Sequence, residues 1–226
     1  MLSASAVKDF YDRFGARQDK QGFYEDSALD ELCAHASFAD AGEILEFGCG
    51  TGRFARRILT EATAATYLGL DVSTTMVGLA RSRLASFGSR ARVRQTGVGS
   101  ILLPVADRSA DRIVSTYVLD LLPDTDIRTF FEEARRVAAP EARLCLVSLT
   151  HGAPGLARVV SGLWERAFRL RPALVGGCRP IALGTYLDET IWEVEYRQTT
   201  TQWAITSDVL VARRFSEARP PIVPSG

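Results

Sequence analysis

The stretch Ile44-Leu45-Glu46-Phe47-Gly48-Cys49-Gly50-Thr51-Gly52-Arg53-Phe54 decides the fold of this 226-residue chain. An apolar segment of strand composition runs into three alternate glycines and then into an amphipathic helical segment. Gly48, Gly50 and Gly52 lack a Cβ, so the loop can turn sharply and a ligand can approach its backbone closely. The helix that follows directs free N–H groups and a positive dipole end at the same place, which suits a carboxylate or a phosphate. The pattern predicts a nucleotide-type pocket.

Two acidic residues near this loop indicate what the pocket could hold. Glu46 lies near the end of the first strand, where burying a carboxylate is costly unless it finds a donor such as a ligand's ammonium group. Asp71 follows a second strand, residues 65–70, at a place where a carboxylate can accept both hydroxyls of a ribose. A charge beside the helix N-cap at Ser73 is the structural alternative for Asp71. Residues 50–55 also fit the loose dinucleotide pattern, so a nicotinamide ligand stays open at this point.

The segment Leu45-Glu46-Phe47-Gly48-Cys49-Gly50-Thr51-Gly52 resembles the first motif of the class I S-adenosylmethionine-dependent methyltransferases. Further segments resemble later motifs of that family and follow one another in the same order as those motifs: residues 68–73 with Met76, residues 103–104 with 109–116, and residues 118–123 with 133–137. The likeness covers about residues 40–150. It implies an α/β fold with a Rossmann-like, doubly wound, seven-stranded sheet, mostly parallel with an antiparallel C-terminal hairpin strand, plus N-terminal helices.

The resemblance also implies S-adenosylmethionine as the cofactor and gives roles to residues of this chain. The acid at Asp71 would hold the ribose, and Val72 and Met76 would flank the adenine. Tyr11, from an N-terminal lid, would hydrogen-bond the cofactor carboxylate, although a packing role for the N-terminal aromatics is an equal alternative. The candidate cofactor-binding residues are Tyr11, Glu46, Gly48, Gly50, Gly52, Asp71, Val72, Met76, Gly99, Ser100 and Thr116.

Three positions depart from the family's pattern. Gly99 and Ser100 stand where the family often has an acid that binds the adenine amino group, so backbone groups or the Ser100 hydroxyl would recognise adenine instead. Residues 140–142 replace a common Pro-Gly-Gly turn, which affects a turn and not the chemistry. Asp120 stands where the family frequently has a histidine, so a mechanism that uses that histidine cannot be carried over.

Candidate bases are few. His151 follows the predicted fifth strand and would face the pocket, and its usual pKa suits proton removal near neutrality, with a solvated loop histidine as the alternative. Tyr117 and Asp120 follow the fourth strand and could orient a substrate, but their apolar neighbours favour structural roles. His35 is expected on the surface. The four cysteines lack C-x-x-C spacing, so free thiols are expected and no metal site is predicted.

Composition and charge are those of an ordinary globular enzyme. Apolar residues make up 46% of the chain, and 27 basic and 27 acidic side chains give a formal net charge of zero. No nucleic-acid surface is therefore expected. No stretch has the roughly 20 apolar residues that span a bilayer, and the first ten residues lack a signal-peptide pattern, so a cytoplasmic protein without stable membrane insertion is expected. Nothing in the sequence specifies an oligomeric state.

The alternation of helical and strand patterns predicts one methyltransferase domain over residues 1–214. Residues 1–40 form its helical lid, 41–150 its cofactor-binding core, and 151–214 a substrate-side helix and closing strands, with a disordered tail at 215–226. Residues 174–181, with paired glycines, form a second candidate wall of the substrate site. Predicted helices cover residues 4–14, 27–36, 53–62, 73–85, 126–138 and a face from 156 to 167. Predicted strands after the second cover residues 92–95, 112–116, 143–149, 191–197 and 208–212.

The resemblance implies methyl transfer to a small-molecule acceptor through oxygen, nitrogen or carbon. A cofactor-binding partner or regulatory protein without catalysis is one alternative. A nicotinamide-dependent oxidoreductase is another, but the short-chain type needs a Tyr-x-x-x-Lys pair downstream, and the chain's two lysines, Lys8 and Lys20, both precede the first strand.

Overall fold

The computed structural model describes residues 2–152, 158–160, 162–163, 166, 168 and 177–216. Two N-terminal helices precede a sheet whose strands alternate with helices. The helices are α1 (Ala4–Phe14), α2 (Gly22–Ala36), α3 (Arg53–Glu61), α4 (Thr74–Leu84) and α5 (Asp124–Val137). The strands are β1 (Glu43–Phe47), β2 (Thr66–Asp71), β3 (Ala91–Gln95), β4 (Ala110–Thr116), β5 (Ala138–Leu149), β6 (Trp192–Gln202) and β7 (Ile205–Arg214).

The seven strands form one sheet in the order β3-β2-β1-β4-β5-β7-β6. Strands β1 to β5 pair in parallel, whereas β7 runs antiparallel between β5 and β6. The predicted fold class is confirmed. The strand order reverses between β1 and β4, and in sheets of this kind a ligand crevice opens beyond the carboxyl ends of the strands at that point.

The strands of the sheet centre are apolar on both faces because helices cover both faces. Along β1, Ile44 belongs to the core beneath α2 and α3, whereas Leu45 and Phe47 belong to the core beneath α5. This alternation follows from the two-residue period of a strand. Helix α5 buries Ile127, Phe130, Phe131, Ala134 and Val137, which recur at helical spacing. The glycine loop after β1 is therefore fixed from both sides of the sheet.

The N-terminal helices differ from the prediction at one boundary. Helix α1 begins after Ser3, whose hydroxyl accepts the Ala6 N–H at 3.2 Å, and it ends where predicted. A 3-10 segment, Gly15–Gln21, then leads directly into α2, which begins at Gly22 and not at residue 27. The prediction began late because the apolar spacing starts only at residue 28. The additional first turn is stabilised by ion pairs of Glu25 and Asp26 with Arg53 of α3.

The closing strands are longer than predicted. Pairing of β5 with β4 begins at Ala138, is interrupted by a bulge that includes Glu141 at φ +62°, and resumes at Arg143, the predicted start. Strands β6 and β7 extend to a turn at Trp203 and Ala204. The prediction ended the first of them at residue 197 because residues 198–202 of the edge strand β6 are polar and lack the alternation that predicts a strand.

Some predictions concern residues at the margins of the described chain. Phe215, placed in the predicted disordered tail, donates its N–H to the Ile191 carbonyl at 3.0 Å, while residues 217–226 lie outside the described ranges. The predicted helix face at 156–167 and the loop at 174–181 also fall partly outside them. No helix in the described part of the chain is long and apolar enough to cross a membrane.

Candidate functional site

The glycine loop adopts a backbone that requires glycine. Gly48, Gly50 and Gly52 have φ angles of +79°, +52° and +74°, in the left-handed region that other residues rarely adopt. The N–H groups of Gly48 and Cys49 both donate to the Leu70 carbonyl, at 2.8 and 2.9 Å, which ties the loop to the end of β2. A Cβ on Gly48 would lie 2.2 Å from Val118 Cγ2, so packing as well as backbone conformation excludes a side chain there.

Asp71 shapes this loop from the end of β2. Its Oδ2 accepts the Gly50 N–H at 2.9 Å and its Oδ1 accepts the Ser73 N–H at 2.8 Å. Ser73 itself caps α4, since its hydroxyl accepts the Met76 N–H at 3.1 Å. Each carboxylate oxygen has two acceptor positions, so Asp71 retains capacity for ribose hydroxyls. Burial raises the pKa of Asp71 to about 6, while the backbone hydrogen bonds act in the opposite direction.

Glu46 has a protein donor that sequence reasoning missed. The side chain is only 1% exposed, and the Tyr67 hydroxyl donates to its Oε2 at 2.5 Å. Burial raises the pKa of Glu46 to about 7. Gly69 makes room for this pair, because a Cβ there would lie 2.6 Å from Tyr67 Oη. The ligand ammonium contact of Glu46 stays a prediction.

A cavity of about 340 Å³ lies against the loop beneath α1; we call it the main cavity. Eight of the predicted cofactor-binding residues line it: Tyr11, Gly48, Gly50, Asp71, Val72, Met76, Gly99 and Ser100. Tyr117, which the sequence offered as a residue that could orient a substrate, also lines it. The other lining residues were not among the predicted site residues; they are Leu2, Ser3, Ala4, Val7, Gln18, Phe47, Leu70, Thr96, Gly97, Ile101, Val118, Leu121, Leu122, Pro123 and Asp126. Most of these are apolar, so the main cavity suits a ligand with a large apolar part.

A second cavity of about 40 Å³, the small cavity, lies beside the first and shares Gln18, Gly48, Gly50 and Tyr117 with it. Of the remaining predicted cofactor-binding residues, Glu46 and Thr116 line the small cavity. Gly52 lines neither; a Cβ there would lie 3.1 Å from the Ala80 backbone, so this glycine allows α3 to approach α4.

The two histidines lie outside both cavities. His151 is exposed after the end of β5 and does not line the main cavity among the described residues. Its role as a base stays a prediction. His35, expected on the surface, is half-buried, with its ring centroid 3.5 Å from that of Tyr196.

Residues 4–21 are part of the predicted lid (1–40) and are called the lid segment below; charged groups tie them to the glycine loop and to α4. Asp19 accepts a hydrogen bond from Thr51 Oγ1 at 2.6 Å and pairs with Arg83 at 2.5 Å. Asp12 accepts from the Ser73 hydroxyl at 2.5 Å and pairs with Lys8 on its own helix. Ala4, Val7 and Tyr11 are spaced to share one face of α1, and all three line the main cavity. The lid segment thus covers the main cavity.

Polar groups gather where β4 and β5 end. Asp120 is fully buried; its Oδ2 accepts the Leu149 N–H at 3.2 Å, and its Oδ1 has no hydrogen-bond partner among the described residues. Burial raises the pKa of Asp120 to about 7. The Tyr117 hydroxyl bonds the Ser207 hydroxyl at 2.8 Å. Burial also raises the pKa of Tyr11, and Cys178, Asp120, Tyr24 and Asp71 raise it further.

Comparison with known proteins identifies the loop and its sheet. Residues 44–141 match the family model described as a methyltransferase domain. Residues 44–141 of this chain thus have the sequence of a methyltransferase domain. The predicted resemblance to methyltransferases is confirmed over these residues. The match covers β1 through the first residues of β5, which includes the glycine loop and Asp71.

Similar curated proteins share this methyltransferase region. Methyltransferase GfsG of Streptomyces halstedii is 35% identical over 120 residues, which are 53% of this chain and 42% of that protein. O-methyltransferase rstn1 of Aspergillus nomiae is 34% identical over 120 residues, which are 53% of this chain and 52% of that protein. This chain therefore spans about half or less of the length of these relatives.

The fold is also found in solved structures. Magnesium protoporphyrin IX methyltransferase from Synechocystis PCC 6803, solved with bound SAH, superposes with a TM-score of 0.62 at 18% identity. The superposition covers 84% of this chain and 81% of that chain. It extends the shared fold beyond the region matched by the family model.

Proposed function

We propose that this methyltransferase transfers the methyl group of S-adenosylmethionine to a small-molecule acceptor. The observation that carries the proposal is the combination of side chains that line two adjoining cavities. The main cavity is lined by apolar side chains that include Met76 and Ile101 and also by Asp71, and the small cavity beside it is lined by Glu46. The adenine, the ribose and the charged amino-acid group of the cofactor call for an apolar surface, a hydroxyl acceptor and a carboxylate.

The residues present fit the cofactor at each part. Met76 is fully buried and offers a soft, polarisable surface to a flat base. Asp71 accepts two backbone N–H groups and has acceptor positions left for two ribose hydroxyls. Thr116 and Glu46 face the small cavity, where a cationic ammonium would find a carboxylate. Ser100, whose N–H donates to the Gly97 carbonyl at 3.1 Å, lines the main cavity and has a hydroxyl that would serve adenine recognition.

When bound, the cofactor supplies a methyl group already activated for displacement. The protein has to align a nucleophile with that carbon and exclude water, and a general base is optional. Leu121, Leu122 and Pro123 line the main cavity and would hold an apolar part of the acceptor. We propose His151 as the base that would remove a proton from the acceptor. Asp120, which is buried just after β4 and whose Oδ1 has no hydrogen-bond partner among the described residues, is a second candidate polar group.

Labelled cofactor tests this proposal directly. The protein is incubated with S-adenosylmethionine carrying a radioactive methyl group and a small-molecule metabolite extract, and label is counted in the small-molecule fraction. We expect transfer that requires the intact protein and is lost with heated protein. Binding of S-adenosylhomocysteine without transfer would instead support a regulatory or partner protein. The cytoplasmic location and the absence of a nucleic-acid partner stay predictions.

A further inference from the structure

Gln18 reaches the glycine loop from the lid segment. Its Oε1 and Nε2 lie 2.9 and 3.2 Å from the position that a Cβ on Gly50 would occupy, so the amide rests on the bare backbone of the loop. The Oε1 atom is buried and has no hydrogen-bond partner among the described residues. A buried amide oxygen without a donor costs free energy, and such groups in native proteins generally have a partner. The site thus lacks one hydrogen-bond donor.

The surroundings of Gln18 indicate the charge of that donor. Gln18 lines both cavities, and the small cavity also has the carboxylates of Asp19, Glu25 and Glu46 in its wall. Arg53 and Arg83 offset part of this negative charge, since Arg53 pairs with Glu25 at 2.7 Å and Arg83 pairs with Asp19. Among the residues that the structure describes, the neutral Tyr67 hydroxyl is the side-chain donor to Glu46. A cation is therefore favoured on the side of Glu46.

The dimensions fit a small cationic group. A cavity needs about 10 to 15 Å³ to hold one water molecule, and an ammonium group is of similar size. The small cavity has about 40 Å³, which accommodates an ammonium group but not a base or a sugar. Gly48 and Gly50 open the wall that it shares with the main cavity.

We propose that Gln18 holds the amino-acid end of the cofactor, with its Oε1 accepting a hydrogen bond from the α-ammonium group opposite Glu46. This inference rests on the proposed function and assigns the lid segment a direct part in cofactor binding. The lid segment then contributes a ligand contact in addition to covering the main cavity. Because Asp19, the next residue, is bound to Thr51 and Arg83, the position of Gln18 is fixed by its neighbour.

Two ligands separate this role from a general effect on the lid segment. S-adenosylhomocysteine carries the amino-acid group, whereas 5′-methylthioadenosine has the same adenine and ribose without it. Calorimetry measures both affinities for the wild type and for Gln18→Leu. We expect Gln18→Leu to weaken S-adenosylhomocysteine binding roughly 10- to 100-fold, because a hydrogen bond to a charged group is lost, and to leave methylthioadenosine affinity within about twofold.

Two further variants make the test specific. Gln21→Leu changes the same residue type in the same 3-10 segment but outside both cavities, and we expect it to alter neither affinity. Gln18→Asn keeps the amide and withdraws it by one methylene, and we expect an intermediate loss for S-adenosylhomocysteine only. Gln18→Asn also serves as the test if Gln18→Leu does not fold.

The outcomes separate the inference from the proposed function. Equal losses for both ligands, or no loss for S-adenosylhomocysteine, would overturn the role of Gln18 while the cofactor assignment stands. A wild-type protein that binds neither ligand would overturn the proposed function itself.

Discussion

Asp71 Oδ2 and the Gly50 N–H are joined by a 2.9 Å hydrogen bond, so the acid proposed to bind the ribose also holds the glycine loop in place. The second oxygen of Asp71 accepts the Ser73 N–H at the start of α4. Asp71 therefore links the loop after β1 to the helix after β2, and a change at this position affects ligand binding and local structure together.

The variant Asp71→Ala tests both roles. Losing a charged acceptor of two ribose hydroxyls should cost about 2 to 3 kcal/mol of S-adenosylhomocysteine binding, roughly 30- to 150-fold in Kd. The melting temperature should also fall, because the N–H groups of Gly50 and Ser73 lose their acceptor. Calorimetry and thermal unfolding measure the two effects.

Asp111→Ala is the matched control for that variant. Asp111 Oδ2 likewise accepts two backbone N–H groups, from Gly42 at 2.7 Å and Glu43 at 3.2 Å, but at the opposite end of β1 and outside the main cavity. It should lower the melting temperature and leave the Kd unchanged. A folded Asp71→Ala protein with wild-type affinity would remove Asp71 from the ribose site.

Asp19→Ala should loosen the lid segment. The change removes the acceptor of Thr51 Oγ1 and the partner of Arg83, at a cost of about 1 kcal/mol for a partly exposed pair. Trypsin should then cleave at Arg17 and Lys20 several-fold faster than in the wild type, because the segment opens more often. Asp30→Ala, which removes the exposed pair with Arg57, is the control and should not change these rates. Equal cleavage rates in all three proteins would show that the Asp19 contacts do not hold the lid segment.

Burial of Glu46 predicts a particular dependence of stability on pH. Its pKa rises from the ordinary value of 4.5 to about 7 through burial, opposed by the Tyr67 hydrogen bond and assisted by Asp71. Between these values the folded state binds more protons than the unfolded state, so this contribution is complete below pH 4.5 and is lost as pH rises to about 7. The free energy of unfolding of Glu46→Gln should therefore fall less between pH 5 and 7 than that of the wild type. Urea unfolding at several pH values checks this, and parallel pH profiles would contradict it.

His151→Ala tests the predicted base. If His151 removes a proton during methyl transfer, its loss should lower kcat by roughly 10² to 10⁴, leave S-adenosylhomocysteine affinity nearly unchanged and abolish a limb of the pH-rate profile near neutrality. The acceptor found with labelled cofactor is the substrate for this measurement. Near-normal turnover with the same pH profile would show that alignment alone suffices.

The glycine loop and its flanking elements could be predicted because local pattern and tertiary environment agree there. The predicted helices at 53–62 and 73–85 differ from α3 and α4 by one residue at their ends. The start of α2 could not be predicted from the local pattern. It depends on ion pairs of Glu25 and Asp26 with Arg53, which lies 28 and 27 residues further along the chain.

The polar contacts of the site were harder to predict because they depend on how distant segments meet. The Glu46–Tyr67 pair requires the register of β1 on β2, in which Glu46 pairs with Gly69. Gln18 lies in a 3-10 segment without apolar periodicity, and only the return of the lid segment onto the loop brings it to Gly50. No sequence pattern marks either contact.

Ligand selectivity distinguishes a protein that binds S-adenosylmethionine from one that binds a nicotinamide nucleotide. Calorimetric titration of the purified protein with S-adenosylhomocysteine, NAD and NADP compares the proposed cofactor class with its nicotinamide rival under one set of conditions. We expect saturable binding of S-adenosylhomocysteine, a higher melting temperature in its presence by mass action, and neither effect with NAD or NADP. Binding of a nicotinamide nucleotide without binding of S-adenosylhomocysteine would contradict this expectation.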